Sequence, residues 1–112
     1  MIEGVEIIRK SIFKDDRGTF FKPYNNIEFK NLGIDFTPEE IFITTSKMGV
    51  LRGMHFQAPP YQHAKVITCI SGSVTDVFVD LRTNSPSFKN VDSIILKDSD
   101  DLIIYLPEGV AH

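Results

Sequence analysis

One cysteine, Cys69, is all the sequence has, which rules out a disulfide within the chain. It stands in the apolar run Val66-Ile67-Thr68-Cys69-Ile70, where a small buried hydrophobe is expected and a reactive thiol is not. A chain without cross-links suits a reducing compartment. Basic residues are also in short supply: 12 Lys and Arg against 15 Asp and Glu leave a net charge of -3. Without a basic surplus to neutralise phosphates, general binding to nucleic acid is not expected, although a local cationic pocket for one small anion stays open. No apolar run approaches the roughly 18 residues of a membrane-spanning helix. The first residues, Met1-Ile2-Glu3-Gly4, lack the apolar core of a signal peptide. The expected setting is the cytoplasm, with neither membrane nor nucleic acid as a partner. Repeats, linkers and low-complexity tracts are missing too, so the 112 residues read as one domain, 1–112.

What the chain has in quantity is short β-branched and aromatic runs punctuated by turn residues. Residues 5–13, 19–22, 40–46, 51–57, 64–70, 73–80, 92–96 and 102–106 all read as strands. Asp15-Asp16-Arg17-Gly18 is a turn, since Asp supports Asx turns and Gly tolerates positive φ. Ser71-Gly72 between two strand-like runs predicts a hairpin. One short helix is expected over residues 26–32, with an asparagine cap and a stop at Gly33. Many short strands with closely spaced turn signals indicate an all-β sandwich or a jelly-roll β-barrel.

The chemistry concentrates in Gly49-Val50-Leu51-Arg52-Gly53-Met54-His55-Phe56-Gln57 and continues through Gln62 to Lys65. An imidazole, a guanidinium, an ammonium and two amides share a stretch that otherwise looks like strand and turn. On a strand, residues two apart face one side, so His55 and Gln57 are expected to line one wall of a pocket. A lone strand histidine is more often structural than catalytic; Arg52 and Lys65 close by in sequence favour a pocket role. Arg17 has a plain alternative as the partner of Asp15 or Asp16 in its turn. Lys65 can face the pocket or the solvent. His63 and Tyr61 read as loop surface.

Two segments resemble the paired histidine-bearing strands of cupins: the stretch from Gly49 to Gln62, and Pro107-Glu108-Gly109-Val110-Ala111-His112. Where metal-binding cupins usually have His and Glu, this chain has Gln57 and Gln62, and a neutral amide is a poor ligand for zinc or iron. No metal and no cofactor are therefore expected. A narrower resemblance comes from four motifs in order. They are Asp15-Asp16-Arg17-Gly18-Thr19-Phe20, the Leu51-Arg52-Gly53-Met54-His55-Phe56-Gln57 segment, Val79-Asp80-Leu81-Arg82 with Ser85-Pro86-Ser87-Phe88, and Pro107 to His112. Together they resemble the dTDP-4-dehydrorhamnose 3,5-epimerase family over nearly the whole chain.

The resemblance implies a cupin-type jelly roll, a homodimer whose N-terminal strands pass between subunits, and a dTDP-linked 4-keto-6-deoxy sugar as substrate. It implies His55 as the base that takes a proton beside the ketone, with Lys65 stabilising the enolate. Arg17 and Arg52 would meet diphosphate oxygens, Phe20 would pack on the base, and Gln57 and His112 would sit near the substrate. Asp80 and Arg82 would brace the wall. By the same resemblance, family members continue for dozens of residues past the His112 position. That segment carries the tyrosine acid and the aspartate that orients the base histidine; Tyr105 is the one stand-in among these residues. Lys22 replaces a family glutamate, and Glu40-Ile41-Phe42 replaces a Gln-x-Asn, changes that remove hydrogen bonds to nucleotide or substrate. A 3,4-ketoisomerase of similar sugars and a non-catalytic sugar-nucleotide-binding cupin are the alternatives.

Overall fold

The computed structural model describes all 112 residues, from Met1 to His112. They form β1 (Glu6–Arg9), β2 (Phe13–Asp15), β3 (Gly18–Phe20), α1 (Asn26–Asn31), β4 (Lys65–Ile67), β5 (Ser73–Asp80), β6 (Val91–Lys97), β7 (Leu102–Leu106) and β8 (Val110–Ala111). Two compact units result: Met1–Pro23 with Met54–His112, and Tyr24–Gly53.

Every strand belongs to the first unit, and all pairings are antiparallel. One sheet has the order β1-β7-β4, a second β6-β5-β8, and β2 and β3 pair only with each other. Strand β7 is apolar throughout because neighbours flank it and both its faces are covered. Ile104 and Leu106 stand opposite Ile67 and Lys65 on one face, while Tyr105 stands opposite Val66 on the other. On β5, alternation turns Phe78 and Asp80 inward, fully or almost fully buried. Ile2, Cys69, Phe78, Leu96, Ile104, Leu106 and Val110 make one core from residues of both three-stranded sheets. Burial of each large aliphatic side chain there contributes roughly 1.5–3 kcal/mol.

The exit from β5 is held by a buried carboxylate. Asp80 is 0% exposed, and its two oxygens accept from Arg82 Nε and Nη2 at 2.8 and 2.9 Å. The Ser85 and Ser87 hydroxyls add bonds of 2.5 and 2.6 Å, and the Arg82 backbone N–H another. Arg82 reaches on to the Glu3 carbonyl, and Ser87 Oγ accepts from the Glu3 N–H, so the N-terminal segment is tied to the same knot. This is the bracing role expected for Asp80 and Arg82. Gly109 completes it with a φ of 82°, close enough to Arg82 that a Cβ would lie 2.5 Å from its Cγ.

The second unit contains α1. Asn25, one residue ahead of the helix, is its cap: the side chain accepts from the Ile27 and Glu28 N–H groups. Gly33, at φ 76°, follows the helix, and Tyr24, Phe29 and Phe36 pack their rings 5.0 to 6.1 Å apart.

Several sequence expectations are corrected. Residues 40–46 form no strand; Ile41, Phe42 and Ile43 are exposed and the segment pairs with nothing that would complete a ladder. Residues 51–57 form none either, so the alternation expected to align His55 with Gln57 does not operate. Residues 5–13 hold two separate strands, β1 and β2. Strand β4 ends at Ile67, and Ser71-Gly72 does not make a hairpin: β4 pairs with β7, whereas β5 pairs with β6 and β8. The intervening residues carry the chain between sheets. Asp98 Oδ2 fastens the Gly72 N–H at 2.7 Å, and the Cys69 thiol donates to the Ser71 and Gly72 carbonyls.

Candidate functional site

Strand β4 sets the first side chain of the site. Lys65 stands opposite Leu106, on the face that carries Ile67 and Ile104 into the core. It is half-buried, and its Nζ donates to the His55 carbonyl at 3.2 Å. Burial pushes its ammonium below the ordinary lysine range, an effect the carboxylate of Asp76 partly offsets.

Asp76 lies on β5, on the inward face shared with Phe78 and Asp80. Its side chain is 10% exposed. Oδ1 is 3.0 Å from His112 Nδ1, while Oδ2 is buried and receives no hydrogen bond from the protein.

His112 follows β8, which pairs with the end of β5, and this brings its ring over Asp76. Its backbone exchanges two hydrogen bonds with His55: the His55 N–H donates to the His112 carbonyl at 2.7 Å, and the His112 N–H returns one at 3.2 Å. In such a reciprocal pair the two residues are directly opposite and their side chains stand on one face. The exposed His55 imidazole is thereby set beside the half-buried His112, even though residues 51–57 are not a strand.

Of the residues singled out in the sequence, His55, Lys65 and His112 come together. Arg17 and Phe20 do not join them; they stand on the β2–β3 hairpin, which pairs with neither larger sheet. Arg17 is the turn partner of Asp15, with Nη2 2.6 Å from Oδ2 and its N–H 2.8 Å from Oδ1. That contact holds the Asp15 carboxyl below its ordinary value and raises the guanidinium's. The Phe20 ring lies 6.4 Å from that of Phe13, and both are exposed. Arg52 belongs to the second unit, where Nε donates to Ser46 Oγ at 2.9 Å and Nη2 to the Thr45 carbonyl at 3.4 Å. Gln57 and Gln62 are exposed. Tyr105 points to the face of β7 opposite Lys65, which removes it as a stand-in acid beside this cluster. No group of three or more His, Cys, Asp or Glu side chains is placed to hold a metal ion.

Asp76 is the residue that sequence reasoning missed. Its signal was the period of two in Val74-Thr75-Asp76-Val77-Phe78-Val79-Asp80, which sets Asp76 on the same face as the buried Phe78.

Chemically, the cluster offers an imidazole open to solution, a partly desolvated ammonium and a carboxylate bound to a second imidazole. A neutral imidazole can accept a proton near pH 7. A half-buried ammonium stabilises a developing oxyanion better than a solvated one.

The family model for dTDP-4-dehydrorhamnose 3,5-epimerase matches residues 1–112. The chain belongs to that family. It is 41% identical over 112 residues to the dTDP-4-dehydrorhamnose 3,5-epimerase of Mycobacterium tuberculosis, covering 99% of this chain and 55% of the relative. It superposes on the crystal structure of the Elizabethkingia anophelis dTDP-4-dehydrorhamnose 3,5-epimerase with a TM-score of 0.89 at 38% identity, covering 99% of this chain and 61% of the other. NovW, a 4-keto-6-deoxy sugar epimerase from the novobiocin biosynthetic gene cluster of Streptomyces spheroides, gives a TM-score of 0.90 at 36% identity, with 99% and 56% coverage. The chain thus spans a little over half the length of the relatives it matches. With these family members it shares the all-β, cupin-type jelly-roll fold, here with one short helix.

Proposed function

We propose that residues 1–112 work as one cupin-like domain carrying the proton-abstracting centre of a nucleotide-sugar epimerase. The substrate is a 4-keto-6-deoxy sugar borne on dTDP. The observation that carries this reading is the reciprocal backbone pair of His55 and His112 beside the half-buried ammonium of Lys65.

In this reading the neutral His55 imidazole removes a proton from a carbon next to the ketone. The C–H electron pair forms the new C=C bond and the carbonyl pair moves onto oxygen, where Lys65 stabilises the enolate. Enolisation leaves the oxidation state of the sugar unchanged, so the step calls for no redox cofactor. Return of a proton to the same face gives exchange with solvent; return to the opposite face inverts the centre. His112, Gln57 and Phe20 contribute to substrate contact, and Arg17 and Arg52 take diphosphate oxygens through their planar forks. For Arg17 this means giving up its exposed pair with Asp15, a contact worth little in water.

The same reading makes the protein a homodimer working in the cytoplasm. The unaccompanied β2–β3 hairpin with its exposed Phe13 and Phe20 supports the first point, and the single thiol is consistent with the second. No helix is long and apolar enough to cross a membrane.

Incubation with a dTDP-4-keto-6-deoxy sugar in deuterium oxide tests the chemistry. Deuterium should enter C3 or C5, and His55→Ala should abolish its entry. Absence of incorporation by the wild-type protein with several such sugars would refute the proposal.

A further inference from the structure

The Asp76 carboxylate has one oxygen in use and one without a donor. Oδ1 is bound to His112 Nδ1 at 3.0 Å; Oδ2 is buried and the protein offers it nothing. A buried carboxylate oxygen left bare loses the water it had in the unfolded chain, so such an atom marks a place where a donor belongs. Lys65 is not that donor. Its Nζ is committed to the His55 carbonyl and makes no ion pair with Asp76, although it feels the charge. The side chain is 10% exposed and stands on the inward face of β5, with His112 packed over its other oxygen.

We propose that Asp76 is a specificity-determining residue of this site, whose Oδ2 accepts a hydrogen bond from the sugar hydroxyl adjacent to the ketone. This rests on the epimerase reading above and narrows its substrate class to α-hydroxy ketones. The two halves of such a group match the two halves of the cluster: a carbonyl oxygen for the Lys65 ammonium, and a neighbouring O–H for the carboxylate. A carboxylate accepts and cannot donate, so a sugar with only a C–H at that position leaves Oδ2 bare. Through Oδ1 the same carboxylate fixes His112 with its proton on Nδ1. Its Nε2 lone pair then remains available as an acceptor on the substrate side.

The test compares binding of dTDP-4-keto-6-deoxyglucose and its 3-deoxy counterpart by NMR titration, in wild-type protein and in Asp76→Asn. The wild type should bind the hydroxylated sugar tighter by about tenfold or more, the usual scale for losing one hydrogen bond to a charged group. Asp76→Asn, which presents an amide N–H₂ or a weaker oxygen, should bind the two within about twofold of one another. If the wild type does not discriminate, or Asp76→Asn keeps the full preference, the assignment is wrong while the epimerase reading stands. If wild-type protein binds neither sugar, the epimerase reading fails and this assignment with it. Histidine ¹⁵N spectra of the wild type give a check that needs no variant to fold: His112 should carry its proton on Nδ1, and a neutral ring protonated on Nε2 would overturn the arrangement.

Discussion

A methyl group at position 109 would meet Arg82 Cγ at 2.5 Å, on a backbone whose φ of 82° already disfavours any L side chain. Strain and clash add, so Gly109→Ala should lower stability by on the order of 2–4 kcal/mol in urea unfolding. The effect should reach the site, because β8 starts at the next residue and sets His112 against His55. Lys65 gives a second test at this scale. Lys65→Met keeps a long apolar stem on the core face and removes the ammonium. Solvent deuterium exchange into the sugar should fall about 100-fold, the usual scale for one oxyanion-stabilising donor, with the melting temperature little changed. A melting temperature that collapses instead would make Lys65 a structural residue. His55, Lys65 and His112 were legible because short motifs mark them. Asp76 was not, since an aspartate in a β-rich stretch belongs to no motif and only the burial of Phe78 and Asp80 shows which face it shares.

Strand β5 ends on a charge that folding has taken out of water. The Arg82 guanidinium, with help from the Ser85 and Ser87 hydroxyls, holds the Asp80 carboxyl far below the usual carboxylate range despite its burial. A depressed folded-state pKa means that the ionised form favours folding. That contribution is fully present above the unfolded value of about 3.9 and is lost as pH falls below it toward the folded value. Asp80→Asn should therefore unfold more easily at pH 7, by about 3 kcal/mol, because Arg82 loses its partner. The difference from wild type should shrink as the pH is lowered through 4 toward 2; a difference constant over that range would count against the carboxylate. Element by element, β7 and α1 were legible from apolar runs and cap chemistry, and β5 from its alternation. Residues 40–46 and 51–57 carry equally strand-like composition and form no strand. Composition reports willingness to be extended, whereas a strand also needs a partner ladder, and partners are chosen by segments far away in sequence. The same applies to Ser71-Gly72: its turn chemistry is sound, but the runs on either side pair with β7 and β6, so local pattern could not reveal the sheet change.

At the scale of the molecule, the β2–β3 hairpin is out of keeping with the rest of its unit. Its six strand residues are all exposed, it pairs with no other strand, and Phe13 and Phe20 present 64% and 57% of their surface. A two-stranded hairpin alone in water is marginal at best, and two large rings at its surface are a further cost unless something covers them. A second copy of the chain is the partner that agrees with the proposed homodimer, since a symmetric pair of hairpins would cover four rings at once. The expected result in light scattering is a mass of twice 12.7 kDa for the wild type. Replacing both rings, Phe13→Ser with Phe20→Ser, should shift the mass to that of one chain at micromolar concentration and leave the circular dichroism of the remaining strands in place. It should also weaken binding of dTDP sugars if Arg17 and Phe20 of the hairpin take part in a shared site, because their placement would depend on the partner. A doubly substituted protein that stays dimeric would mean that these rings do not hold the copies together. A wild-type protein that is monomeric throughout would remove the dimer, and with it the shared site.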